Sequence, residues 1–227
     1  MEEIYNRTKL VIGEENLQKI RNASVCICGI GGVGSYTLEA LARTGIGKIT
    51  IIDKDNIDIT NVNRQLIAKV DNVDNAKVEE AKRRINAINP NIQVIAIKDN
   101  IDVTNVSEHI TRDLDYVVDA IDSVDSKIAI IKECKEKNIK IISSMGMANR
   151  LDPLKIKVAD ISKTEVCPLA KVVRKKLKEQ GIQKVKVVFS TENAVKTGSK
   201  ELGSVAYVPA TAGLVIAAEV IKDIISQ

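Results

Sequence analysis

Apolar and polar positions along the chain follow two periods in turn. Short aliphatic runs of β type at 24–29, 48–53, 92–97, 115–120 and 139–144 are separated by windows at 33–44, 75–88, 104–111 and 126–137 in which apolar residues recur at helical spacing. Strands separated by amphipathic helices build a parallel sheet. The pattern predicts an α/β fold: a Rossmann-like doubly wound, mostly parallel sheet with helices on both faces and a C-terminal extension. A leading helix is expected over Glu14–Asn22. After Pro153 the alternation loosens, and the expectation becomes a strand at 154–160, a helix at 168–180, a strand at 184–189, a polar loop around 191–203 and a closing helix at 210–225. No linker or repeat interrupts the 227 residues, which read as a single domain, 1–150 as its core and 151–227 as the extension.

The first strand run, Ser24-Val25-Cys26-Ile27-Cys28, leads directly into Gly29-Ile30-Gly31-Gly32-Val33-Gly34 and then a helix. A lone G-x-G-x-x-G is weak evidence; between a strand and a helix it is strong. Its glycines then serve a tight turn, close approach of backbone to phosphate and close helix–strand packing, and the helix N-terminus offers unpaired N–H groups to an anion. The second run ends at Asp53, about 20 residues past the glycines, where such folds place a carboxylate on a ribose hydroxyl. Gly29, Gly31, Gly32, Gly34 and Asp53 thus predict an adenine-nucleotide site.

The connection from Lys54 to Asn75 is too long for a compact α/β unit, where two to six residues are usual, and long loops of this kind tend to be functional. It bears on which nucleotide is bound. A triphosphate brings several negative charges and needs cations and a carboxylate for magnesium, whereas NAD needs neither. Arg64 in the long loop, Lys77 at the start of the next helix and Asp122 after the strand at 115–120 supply those parts, all beyond C-terminal strand ends where such sheets bind ligands. Each alone reads more readily as a solvated charge or, for Asp122, a helix cap, and it is their joint spacing that favours the site.

Composition narrows the classes further. Aromatic residues are 2% of the chain, too few for a base-stacking platform. The longest apolar stretch, Ala206 to Ile221, is broken by Pro209, Thr211 and Glu219, and no N-terminal signal pattern is seen, so a soluble, cytoplasmic protein without membrane association is expected. The four cysteines, Cys26, Cys28, Cys134 and Cys167, contain no C-x-x-C pair, which excludes a zinc ribbon or a thioredoxin-type site. His109 is the only histidine and lies in an ordinary helix-end context, an unpromising base for a Ser-His-Asp or Cys-His site.

Charge is local. Between Lys171 and Lys186 seven basic residues face one acid, Glu179, a net +6 within a chain of net +4. On a helix Lys171, Arg174, Lys175 and Lys178 fall at i, i+3, i+4 and i+7, a cationic stripe suited to a phosphate backbone, opposite a buried face of Leu169, Val172, Val173 and Leu177. A merely solvated face is the competing interpretation.

Taken in order and at matching spacing, Tyr5-Asn6-Arg7, the Gly29–Gly34 loop, Ile52-Asp53-Lys54-Asp55, Asn61-Val62-Asn63-Arg64-Gln65, Lys77 and Asp119-Ala120-Ile121-Asp122 resemble the ThiF/MoeB and ubiquitin-activating superfamily of carboxylate adenylyltransferases. The resemblance implies ATP and magnesium as cofactors. It places Asp53 on ribose and Asn61, Arg64 and Lys77 on the phosphates, with Asp122 on magnesium. Asp55, Asn63, Gln65 and Ser123 join the nucleotide site, and Arg7 reaches across a homodimer interface into the neighbouring site.

Within that superfamily, Arg7-Thr8-Lys9-Leu10-Val11-Ile12-Gly13-Glu14, Ala42-Arg43-Thr44-Gly45-Ile46-Gly47, Asp119-Ala120-Ile121-Asp122-Ser123 and the basic stretch after Pro168 look like the tRNA threonylcarbamoyladenosine dehydratase branch. That resemblance implies ATP-dependent activation of the threonylcarbamoyl carboxylate on the adenosine beside the anticodon, then internal attack that closes a ring and releases AMP. No enzyme thiol is needed, since the nucleophile belongs to the substrate, so Cys167 is expected to be dispensable. Lys171, Arg174, Lys175 and Lys178 become tRNA contacts. Two alternatives stay open: an adenylyltransferase for the C-terminus of a sulfur-carrier or ubiquitin-like protein, and a nucleotide-binding regulator without turnover.

Overall fold

The computed structural model describes residues 2–226. Two short helices, α1 (Asn6–Ile12) and α2 (Glu14–Asn22), precede β1 (Ser24–Cys28), α3 (Gly34–Thr44), β2 (Lys48–Ile52), α4 (Lys77–Ile88), β3 (Gln93–Ile97), α5 (Val106–His109), β4 (Tyr116–Asp119), α6 (Val124–Lys137) and β5 (Lys140–Ser144). The chain continues through β6 (Ile156–Asp160), α7 (Pro168–Glu179), β7 (Lys186–Ser190) and α8 (Tyr207–Ile225). The strands form one seven-stranded sheet in the order β3-β2-β1-β4-β5-β7-β6. All neighbours are parallel except the edge pair β6–β7, which is antiparallel.

Side chains alternate across the sheet with the period of two that a strand imposes, and each face fills one core layer. Val25, Ile27, Ile49, Ile51 and Val118 pack against α3, α4 and α8, through Leu38, Leu41, Val78, Ile85, Ile216 and Val220. Cys26, Cys28, Val117, Ile141 and Val187 pack against α6 and α7, through Ile128, Ile131, Ala170, Val173 and Leu177. Cys26 and Cys28 therefore share a face, as their spacing predicts, with sulfurs 3.9 Å apart. The hydrogen bond with Cys26, and then burial, hold the Cys28 thiol well above its ordinary range, so Cys28 packs as a thiol.

The differences from the sequence pattern have local causes. Helix α8 begins at Tyr207, three residues before the expected start, because Pro209 sits in its first turn, where a missing N–H breaks no helical bond. Helix α1 escapes the hydrophobic periodicity because it buries no residue: Leu10 and Val11 are 83% and 85% exposed. Helix α7 buries Ala170 rather than Val172, which is 45% exposed, so its apolar face is rotated from the expected one. No helix among the described residues is long and apolar enough to cross a membrane.

The winding direction reverses between β1 and β4, and in open α/β sheets ligands bind at this switch, beyond the carboxyl ends of the strands. A cavity of about 740 Å³ lies there, floored by the ends of β1, β2, β4 and β5.

Candidate active site

The glycine loop forms the centre of the cavity floor. Gly29 has φ +90°, and a Cβ there would stand 2.8 Å from the Ala120 carbonyl oxygen. A Cβ on Gly34 would lie 1.8 Å from the Gly29 carbonyl oxygen, so α3 packs back on the turn at a distance only glycine permits. Gly31 lines the cavity and has no atom within 4 Å of where its Cβ would be, leaving its backbone open to a ligand. Gly29 and Gly34 thus fill the turn and packing roles the motif predicts. Gly34→Ala is expected to cost about 3 kcal/mol of stability by overpacking, while Gly31→Ala should fold normally and weaken ATP binding. Thermal unfolding with and without ATP separates the two, and equal behaviour of both variants would contradict this division of labour.

Asp53, at the end of β2, accepts from the Ile30 N–H at 2.6 Å and the Asp55 N–H at 2.9 Å. It thus ties the glycine loop to the next strand and keeps acceptor capacity on the cavity side, since a carboxylate offers about four acceptor sites. Lys77 opens α4 and is 5% exposed, with its Nζ 3.0 Å from Asp55 and 3.9 Å from Asp53. The 54–75 connection is well ordered: Asp58 accepts from Thr60, the Asp58 N–H donates to Asn61 Oδ1 at 3.1 Å, and buried Asn72 bonds Lys69, Ile67 and Glu80. This leaves the Asn61 amide N–H groups without a protein acceptor among the described residues, beside a cavity that Asn61 lines. Arg64 Nη1 donates to the Thr60 carbonyl at 2.7 Å and to Asn63 Oδ1 at 3.0 Å, and Asn63 in turn donates to the Ser204 carbonyl. Gln65 lines the cavity and is buried, its Oε1 lacking a partner among the described residues.

Asp122 and Ser123 follow β4 on the opposite side of the glycine loop from Asp53, and Ser123 is the residue preceding α6. Below them, Asp119 and Lys127 form an ion pair at 3.0 Å with both side chains fully buried. Lys127 also donates to the Ser144 carbonyl at 2.7 Å, so a single ammonium ties the ends of β4 and β5 together.

The structure thus gathers Gly29, Gly31, Gly32, Asp53, Asp55, Asn61, Arg64, Gln65, Lys77, Asp122 and Ser123 around one cavity. Gly34 and Asn63 stand just behind it. Arg7 lies outside it, exposed on α1. On α7, Lys171, Lys175 and Lys178 are exposed, whereas half-buried Arg174 donates through Nη1 to the Thr164 carbonyl and hydroxyl, at 2.6 and 2.7 Å.

Sequence reasoning missed the far wall of the cavity, formed by residues 144–150 after β5 and by Cys167–Leu169 at the start of α7. The signal was present, since residues after a β5 at 139–144 belong to the same carboxyl edge. Arg150, 3% exposed, lines this wall.

Among the described residues no group of three His, Cys, Asp or Glu side chains is placed to hold a metal ion. Magnesium does not require one: it binds through one or two carboxylates plus substrate phosphates. Asp55 pairs with Lys77 and Asp99 with His109, while Asp122 engages no protein partner among the described residues, and so is the carboxylate that fits this role.

A solved structure of Escherichia coli tRNA N6-threonylcarbamoyladenosine dehydratase in complex with ATP is similar to this chain with a TM-score of 0.94 and 40% identity, over 99% of this chain and 94% of that one. The same E. coli protein in complex with AMP matches with the same score, identity and coverage. The tRNA threonylcarbamoyladenosine dehydratase of Bacillus subtilis is 44% identical, over 98% of this chain and 95% of its own length. The ThiF family model matches residues 5–227. With that match spanning nearly its whole length, the chain belongs to the ThiF family.

Proposed function

We propose that this protein is an ATP-dependent tRNA threonylcarbamoyladenosine dehydratase of the ThiF adenylyltransferase type. The observation that carries the reading is the gathering of the donors Asn61, Arg64 and Lys77, and of Asp122, which has no protein partner among the described residues, around one cavity, in a chain that matches an ATP-bound dehydratase from end to end. The threonylcarbamoyl carboxylate attacks the α-phosphorus of ATP, and the bond to the bridging oxygen of pyrophosphate breaks. The substrate's own nitrogen then attacks the acyl carbon, loses its proton and expels AMP.

Charge builds on the departing pyrophosphate, and Arg64 and Lys77, already fixed by Thr60, Asn63 and Asp55, stabilise it without reorganising. Asp122 would hold magnesium, which neutralises phosphate charge when bound. Cys167 lines the cavity, but the only histidine, His109, pairs with Asp99, so no base activates the thiol. We read the chain as one domain, with residues 1–150 as the adenylation core, acting in the cytoplasm as a homodimer in which exposed α1 carries Arg7 toward the partner's phosphates.

Pyrophosphate release is the test of this function: it should occur with threonylcarbamoylated tRNA and be absent with unmodified tRNA. Release driven instead by a sulfur-carrier or ubiquitin-like protein would replace the reading with the carrier-protein one.

The tRNA backbone is held by Lys171, Lys175 and Lys178, with Arg174 contributing less because Thr164 engages it. Each phosphate neutralised releases counterions, so log affinity should fall with log salt at about −0.7 to −0.9 per contact. Changing the three lysines to glutamate should flatten that slope and leave ATP binding unchanged. An unaltered slope would make the stripe a solvated face.

A further inference from the structure

Arg150, on the far wall of the cavity, is not accounted for by the nucleotide. Its guanidinium is buried, with 3% of the residue exposed, yet among the described residues no carboxylate lies within ion-pair distance of it. Its Nε makes a long bond of 3.3 Å to the Gly146 carbonyl, and its Nη1 has no partner among the described residues. A buried cation without a counter-charge is costly, and an unsatisfied buried donor adds to that cost. Glu192 lies close enough to feel the Arg150 charge but makes no ion pair with it: its carboxylate accepts from the Leu151 and Asp152 N–H groups. The backbone also holds Arg150 in place. Asn149 adopts φ 55°, a left-handed conformation that asparagine tolerates, and is clamped on both sides of the peptide by Gly203 and Val195.

The missing partner is an anion in the cavity, and position identifies it. Asp53 and the glycine loop follow β2 and β1, whereas Arg150 follows β5, two strands beyond β1. Its segment thus leaves the sheet two strands beyond the glycine loop, past the strand that leads to Asp122, on the cavity wall left to the acyl substrate. We infer that Arg150 binds the carboxylate of the acyl substrate, presenting it to the α-phosphorus. The inference rests on the dehydratase reading above. A planar guanidinium matches a carboxylate in two parallel hydrogen bonds. It also offsets the repulsion between that carboxylate and ATP, and after adenylation it faces the acyl oxygen on which charge develops as the ring closes.

Arg150→Met and Arg150→Gln test this with two readouts: calorimetric ATP binding, and kcat/KM for pyrophosphate release with threonylcarbamoylated tRNA. Both variants should bind ATP as the wild type does. Each should lose about thirtyfold in kcat/KM for the tRNA, the effect of one charged hydrogen-bonding partner. Arg150→Met should unfold no earlier than the wild type, since no paired acid is orphaned; if it fails to fold, Arg150→Gln, which can still reach the Gly146 carbonyl, decides. Unimpaired tRNA kinetics, or weakened ATP binding with tRNA kinetics intact, would overturn the assignment while the dehydratase reading stands. A wild-type protein inactive on modified tRNA would overturn both.

Discussion

Lys77→Ala is expected to lower single-turnover pyrophosphate release by about 100- to 1,000-fold, roughly 2.7–4 kcal/mol of barrier, by analogy with loss of one preorganised oxyanion donor. The expectation follows from burial: Lys77 is 5% exposed and its ammonium is held by Asp55, so it acts in a water-poor site with its geometry already set. ATP affinity should change much less than rate, because the donor is matched to charge that appears as pyrophosphate departs. A folded Lys77→Ala protein within tenfold of wild-type rate would place the leaving group elsewhere.

The second large effect is on stability. Lys127→Met removes one half of an ion pair whose two side chains are both fully buried, leaving Asp119 uncompensated. Breaking such a pair costs about 3–5 kcal/mol, which for a domain of this size lowers the melting temperature by roughly 6 to 20 °C. Converting Asp119 to leucine as well should recover much of that loss, because a matched apolar pair carries no orphaned charge. Denaturant unfolding of the single and double variants measures the coupling; a loss below 1 kcal/mol in the single variant would mean that the pair is not needed to hold β4 and β5 together. The same substitution should loosen the loops that carry Asp122 and Arg150, since Lys127 bonds the Ser144 carbonyl as well as Asp119.

The sheet and most of its helices were legible because buried parallel strands and amphipathic helices leave strong periodicities, and the glycine loop because its spacing is tied to a turn that only glycine closes. Helix α1 was not, since it buries nothing within the chain. The cationic stripe was half legible: spacing put Arg174 in line with three lysines, but its bond to Thr164, ten positions earlier, depends on how α7 packs on the segment before it. Lys127 and Arg150 are a different case. Lysine and arginine at a strand edge or in a helix read as solvated charges, and what distinguishes these two is burial, which depends on how β4, β5 and their loops meet. Asp119 appeared in a motif, but the ammonium that neutralises it lies eight residues on, inside a helix whose sequence gives no sign of a buried cation.

The central claim is tested most directly by the chemistry of the tRNA itself. Threonylcarbamoylated tRNA is incubated with the protein and ATP, digested under mild conditions, and its nucleosides are weighed by mass spectrometry. The account predicts a modified adenosine lighter by one water, formed only when ATP is present and accompanied by AMP. An unchanged threonylcarbamoyladenosine, under conditions where the protein is folded and binds ATP, would contradict it.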